Sequence, residues 1–139
     1  MGTGDRYTFL AVGAQTGGAY FIFEAIVPPG VGPPPHIHRR EEEAFYILEG
    51  TLDITLGDKQ LKASAGDFVH TPRGTVHTFR NAGNVNARML VVCSPAGLEK
   101  YFEEVFEPVQ DLSASPPPVT DALIACLLAA APKYGIEFV

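Results

Sequence analysis

Along most of this chain apolar and polar residues alternate in short runs. "YTFLAV" and "AYFIFEAIV" are separated by "GAQTGG"; "AFYILEG" and "TLDITLG" follow, then "KQLKAS", "DFVHTP", "VHTFRN" and "ARMLVVC". Clusters of Gly, Pro, Asn and Asp punctuate these runs at intervals of about 8 to 12 residues, the pattern of a sandwich or a small barrel. Residues 1–95 therefore read as one all-β domain.

Past Ser94 the period changes. Ser94 followed by Pro95 makes a helix entry, because the hydroxyl can accept from a first-turn N–H and proline is tolerated at the first helical position. In "LEKYFEEVFEP" the apolar Leu98, Tyr101, Phe102 and Val105 fall at i, i+3, i+4 and i+7, with Glu99, Lys100, Glu103 and Glu104 opposite. That spacing predicts a short amphipathic helix ending by Pro108. "VQDLSASPPPV" reads as an extended linker, since consecutive prolines favour polyproline geometry. A second helix begins near Thr120 or Asp121 and runs uncharged from Ala122 to Ala131 before Pro132. Being apolar on all sides, it calls for cover: burial against the barrel, a dimer contact, or a lid over the barrel mouth. Residues 96–139 are thus a helical extension packing on the barrel or on a partner in a homodimer.

Composition narrows the classes. A chain of 139 residues fits one domain, which buries about two thirds of the surface its unfolded form exposes. No apolar run approaches the ~18 residues of a transmembrane helix, so no membrane span is expected. "MGTGDRYTFLAVGAQ" lacks the basic and apolar regions of a secretion signal, which points to the cytoplasm. The formal charge of −6 argues against nucleic acid as a partner and leaves a small-molecule substrate or other subunits. Cys93, in a strand pattern, and Cys126, in a helix pattern, read as reduced, buried small hydrophobes.

The chemistry concentrates in "PPPHIHRREEEAFYILEG", residues 33–50. On a strand, side chains two apart share a face, so His36 and His38 point the same way. Imidazoles on one face with a carboxylate a few residues on suit a divalent metal, although surface histidines beside charged residues are also ordinary. A second stretch, "GDFVHTPRGTVHTFRN" at 66–81, places His77 three residues after Gly74, with Phe79 on its face. The first stretch reads Gly30, five residues, His36-x-His38, four residues, Glu43, six residues, Gly50; the second reads Gly66, five residues, Pro72-x-Gly74, two residues, His77, three residues, Asn81. Together these resemble both signature motifs of the cupin superfamily, separated by fifteen residues, 51–65.

The resemblance implies a double-stranded β-helix, a jelly-roll barrel, over about residues 6–95, with two short C-terminal helices outside it and one divalent transition metal near the barrel axis. By position the family's ligands fall on His36, His38, Glu43 and His77. Glu41 and Glu42 match no ligand position and read as solvated loop charges, with Glu42 a minor rival to Glu43. Gly50, Gly66 and Gly74 serve positive-φ turns and Asn81 supports a strand end. Fe, Mn, Co or Ni in octahedral geometry leaves two positions open beside four protein ligands, whereas Zn, also possible, is closed off by four. Phe45 and Ile47 share the face of Glu43, and Phe79 that of His77, so these three are candidates for the substrate pocket, or plain core. His70, which shares a strand face with Phe68 opposite Val69 and Thr71, is either a structural or pocket-edge histidine or a group for proton transfer or substrate contact, and Arg73 either an exposed turn residue or a receptor for an anionic substrate.

The resemblance to small quercetinase-like cupins implies a metal-dependent dioxygenase acting on an aromatic or enolic hydroxy-ketone, with Glu43 as catalytic base. The alternatives are a non-redox metal-dependent isomerase or polyketide-type cyclase, and a non-enzymatic small-molecule-binding cupin.

Overall fold

The computed structural model describes residues 4–109, 111, 113 and 118–139. These form strands β1 (Arg6–Ala11), β2 (Phe21–Val27), β3 (His36–His38), β4 (Glu42–Glu49), β5 (Thr51–Leu56), β6 (Lys59–Ser64), β7 (Phe68–Thr71), β8 (His77–Arg80), β9 (Ala87–Ser94) and β10 (Ile136–Phe138). A single turn α1 (Gly13–Thr16) follows β1, while α2 (Leu98–Val105), α3 (Asp121–Ala130) and a 3-10 turn (Ala131–Tyr134) precede β10. The strands pair antiparallel into two five-stranded sheets, in the orders β1-β2-β9-β4-β7 and β10-β3-β8-β5-β6.

The period-two pattern is realised side chain by side chain. In β2, Phe21, Phe23, Ala25 and Val27 are buried while Ile22, Glu24 and Ile26 are partly exposed; β9 repeats this with Ala87, Met89, Val91 and Cys93 inside. Phe45 and Ile47 of β4 meet Leu52 and Ile54 of β5 in the same core. Each such side chain contributes about 1.5–3 kcal/mol on burial. Gly50, between β4 and β5, has φ +77°, and a Cβ there would lie 2.9 Å from the Asn86 carbonyl oxygen, so this turn demands glycine. Asn81 is fully buried: its amide donates to the carbonyls of Val27 (2.8 Å) and Val85 (2.7 Å), and its Oδ1 accepts from Gly83 N–H (2.9 Å).

The C-terminal segment is more than two helices. Leu98, Tyr101 and Val105 of α2, with Leu127 and Ala130 of α3, join the barrel's own core cluster. β10 then pairs with β3 in the register Ile136↔His38 and Phe138↔His36, so the end of the chain completes the sheet that carries the histidines. Helix α2 starts at Leu98 rather than at Ser94-Pro95: Ser94 stays in β9, its hydroxyl donating to the Ala19 carbonyl at 2.9 Å. Glu99 is buried instead of solvated, because its carboxylate accepts from the backbone N–H groups of Gly97 (2.8 Å) and Gly13 (2.9 Å), taking the place of an N-cap side chain. Thr120 caps α3, its Oγ1 accepting from Leu123 N–H at 3.1 Å. Only one face of α3 is buried, and Cys126 lies on the exposed one, whereas Cys93 is in the core. Most of the proline-rich stretch "VQDLSASPPPV" lies outside the described residues.

Candidate metal centre

β3 and β8 are neighbours, and their register sets His36 opposite His77. His38, two residues on, shares that face, and all three imidazoles are buried. One nitrogen from each lies within 4.8 Å of the other two, a spacing that could hold a metal ion. Glu43 reaches the same point from β4, in the facing sheet: its Oε2 is 2.9 Å from His77 Nε2 and 3.5 Å from His38 Nε2.

The rings are oriented from behind. His36 Nδ1–H donates to the Pro34 carbonyl at 2.8 Å and His77 Nδ1–H to the Thr75 carbonyl at 3.2 Å. A carbonyl can only accept, so the proton sits on Nδ1 and Nε2 faces the centre. His38 instead turns Nδ1 towards the Glu41 carboxylate, 3.6 Å away. Glu41 is therefore not a solvated loop charge: it is buried beneath β3. Behind Glu43, its cross-strand neighbour Cys93 donates S–H to Oε1 at 3.7 Å, leaving Oε2 to the histidines.

Burial pushes His36 down to about 3, with His77 and His38 adding to the effect, so this ring is neutral near pH 7. For Glu43 burial acts upwards, but the surrounding imidazoles, His38 first, outweigh it and hold the carboxyl at about 2. Burial lowers His38 as well, and the carboxylates of Glu43 and Glu41 overcome this and raise it.

This donor set fits a divalent transition metal. His77 Nε2 and Glu43 Oε2 are buried and, though close, lack hydrogen-bond geometry to any described residue. Buried polar atoms without partners are costly, and an ion shared between them satisfies both. Three neutral imidazoles and one carboxylate are the ligand chemistry of such ions.

Beside the centre lies a cavity walled by Phe23, Phe45, Phe79, Phe102, Phe106 and Phe138, with Glu43 as its one charged lining residue apart from the imidazoles among the described residues. Of the pocket candidates, Phe45 and Phe79 line it. Ile47 shares their face but lies one step further along β4, wholly in the core. His70 lies outside the cavity: β7 turns Val69 and Thr71 inwards and Phe68 and His70 outwards, and His70 Nε2 pairs with Glu42 Oε2 at 2.8 Å. Arg73 is an exposed turn residue whose backbone N–H donates to the same Glu42 oxygen at 3.3 Å. Tyr7, Tyr101 and Phe102 also line the cavity, beyond the candidates visible in the sequence. The helical period of "LEKYFEEVFEP" signals that Tyr101 and Phe102 are buried, but not what they cover.

A barrel of two antiparallel sheets with a histidine triad and a carboxylate at an aromatic cavity defines a class of small metal-binding β-barrels. The Cupin domain model matches residues 23–93, half of the chain, and the chain belongs to the cupin family. It is 28% identical over 109 residues to quercetin 2,3-dioxygenase of Bacillus subtilis, a match covering 78% of this chain and 32% of that protein. It is 29% identical over 110 residues to the tetracenomycin polyketide synthase protein TcmJ of Streptomyces glaucescens, covering 78% and 72%. A solved structure from Thermotoga maritima, described as a predicted oxalate decarboxylase, superposes with TM-score 0.62 at 28% identity, covering 66% of this chain and 80% of that one. The chain thus spans only about a third of the Bacillus protein's length.

Proposed function

We propose that this cupin is a metal-dependent dioxygenase of an aromatic or enolic hydroxy-ketone, with His36, His38, His77 and Glu43 as ligands of one Fe, Ni, Mn or Co ion. The observation that carries the reading is the convergence of these four side chains on a cavity walled by aromatic rings and lined, among the described residues, by no Lys or Arg. A phosphorylated or strongly anionic substrate would call for a cation there. A flat, neutral or weakly acidic ring system finds apolar walls and one polar end. The bound ion supplies a Lewis acid for the substrate oxygen and, if redox-active, a partner for O₂. Phe45 and Phe79 hold the ring against the floor of the barrel. Glu43, the one carboxylate lining the cavity among the described residues, would hold the ion and stand nearest the substrate hydroxyl as its base, with Oε1 held by Cys93.

The size of the cavity adds a condition. At about 80 Å³ it is smaller than the ~150 Å³ of a cavity that admits benzene, so a ring-sized substrate needs more room than the cavity holds here. The second reading, a non-redox cyclase of polyketide type, is favoured by coverage: the match spans 72% of the polyketide synthase protein and 32% of the dioxygenase.

The test begins with elemental analysis of wild type beside His77→Ala, followed by flavonols and smaller enediols in an oxygen electrode. Stoichiometric Fe, Ni, Co or Mn in wild type, its loss in the variant, and substrate-dependent O₂ uptake are expected. Turnover of such substrates that proceeds equally without O₂ moves the assignment to the cyclase. Full occupancy by Zn with no O₂ uptake also removes the dioxygenase reading.

A further inference from the structure

A second hollow lies against the metal cavity. Between β1 and α2 runs a groove of about 300 Å³ whose floor is Tyr7, Phe9, Phe102 and Phe106. Tyr7, Phe102 and Phe106 also line the metal cavity, so these rings are the wall between the two spaces. Strand parity sets half of that wall: Tyr7 and Phe9 share the inward face of β1, in register with Ala25 and Phe23. Helical spacing sets the other half, since Phe102 and Phe106 are four residues apart. The Tyr7 ring lies 4.9 Å from that of Phe102 and 6.2 Å from that of Phe106, centroid to centroid, and the latter two are 5.7 Å apart. Size divides the two spaces as well. The cavity at the metal centre holds about 80 Å³, whereas the groove exceeds the ~150 Å³ that admits benzene.

We propose that groove and cavity are one elongated binding site for a neutral, aryl-substituted hydroxy-ketone, with its chelating end at the metal centre and its second ring in the groove. The ligand class rests on the proposed function, but the groove's part in binding does not require the reaction to consume O₂. Phe106 is the ring that yields to join the two spaces. It follows the last turn of α2 with extended backbone (φ −113°, ψ 151°), its N–H donating to the Phe102 carbonyl at 2.9 Å, and helix ends fray. Phe102 is the fixed member, its ring packed 5.3 Å from Phe23, 6.2 Å from Phe21 and 6.1 Å from Tyr101. Four aromatic rings facing one groove are the surface that an apolar ligand covers. The rim sets the ligand's charge: among the described residues it carries two acids, Glu103 and Glu107, to one base, Arg6, which disfavours an anionic tail. The room that a ring-sized substrate lacks at the metal centre is thus supplied next to it.

Anaerobic calorimetric titration of the Ni(II)-loaded full chain with 3-hydroxyflavone and with maltol tests this. Both probes carry the hydroxy-ketone, and only the first carries an aryl ring. Wild type is expected to bind 3-hydroxyflavone at least about tenfold more tightly than maltol. Phe9→Asp puts a charge into the groove floor, and Thr8→Trp fills the groove from an exposed position without touching the core. Each should erase the preference while maltol affinity and Ni(II) content stay at wild-type values. Leu128→Gln, on the exposed side of α3, should keep the preference, and His77→Ala should weaken both probes. If Phe9→Asp loses the wild-type circular dichroism, Thr8→Trp decides alone. A wild type without preference overturns the proposal, as does a preference that survives Thr8→Trp. So does 3-hydroxyflavone affinity unchanged in His77→Ala, which would make the groove a separate site. Admitting O₂ afterwards tests the proposed function on its own: the preference without O₂ uptake keeps the elongated site and removes the dioxygenase.

Discussion

The three imidazoles of the centre are held from behind in unlike ways. His36 and His77 lean on neutral carbonyls, but His38 leans on a buried carboxylate, Glu41, 3.6 Å from its Nδ1. An anion behind a ligating imidazole fixes the ring and raises its basicity, and loss of such a partner costs about 10–100-fold in metal affinity. Glu41→Gln keeps the shape and removes the charge, so Co(II) or Ni(II) affinity, read by chelator competition, should fall about tenfold or more. Glu42→Gln, one residue on but exposed beside His70, should leave it unchanged. Equal affinities for the two variants would take Glu41 out of the site. Cys93 gives a parallel case at Glu43: Cys93→Ser retains a donor to Oε1 and should keep wild-type affinity, while Cys93→Ala should weaken it several-fold. The ligand candidates were legible in the sequence because their spacing is fixed by motif and strand parity. Glu41 was not: three consecutive glutamates look alike in sequence, and only the turn between β3 and β4 decides which of them is folded under. His70 shows the reverse error, since its parity with Phe68 was read correctly but not which of the two faces looks inwards.

At the level of elements, the cavity is closed by parts of the chain that follow the barrel motifs. Tyr101 of α2 donates its hydroxyl to the Leu127 carbonyl of α3 at 3.0 Å, and Glu104 is bonded by Lys133 and by the Tyr134 hydroxyl, at 2.7 Å for the latter. These ties hold α2 over the aromatic wall. Tyr101→Phe removes one of them without emptying the core. The Leu127 carbonyl keeps its helical partner, Ala131 N–H, so the loss should be only about 0.5–1.5 kcal/mol of stability. Amide exchange in α2 and α3 should accelerate, with β4 and β9 unaffected, and a ring-sized substrate should bind faster. Unchanged exchange in both helices would mean that Tyr101 does not latch the cover. Both helices were visible in the sequence as a 3.6-residue pattern and as an uncharged run. β10 was not, because three residues after Gly135 give too little alternation to read, and its pairing with β3 is made across almost a hundred residues of chain.

At the scale of the whole molecule, metal and fold are coupled. Without an ion, His77 Nε2 and Glu43 Oε2 are buried with no hydrogen-bond partner among the described residues. Each such group costs about 1–3 kcal/mol, a large share of the 5–15 kcal/mol by which a domain is stable. A ligand that binds only the folded state adds about 2.7 kcal/mol at a hundred times its dissociation constant. In a domain of this size that corresponds to a rise of about 10 °C in melting temperature. Ni(II) or Co(II) should therefore raise the melting temperature by about that much, EDTA should reverse the rise, and His77→Ala should abolish it. An equal rise in the variant would place the ion elsewhere.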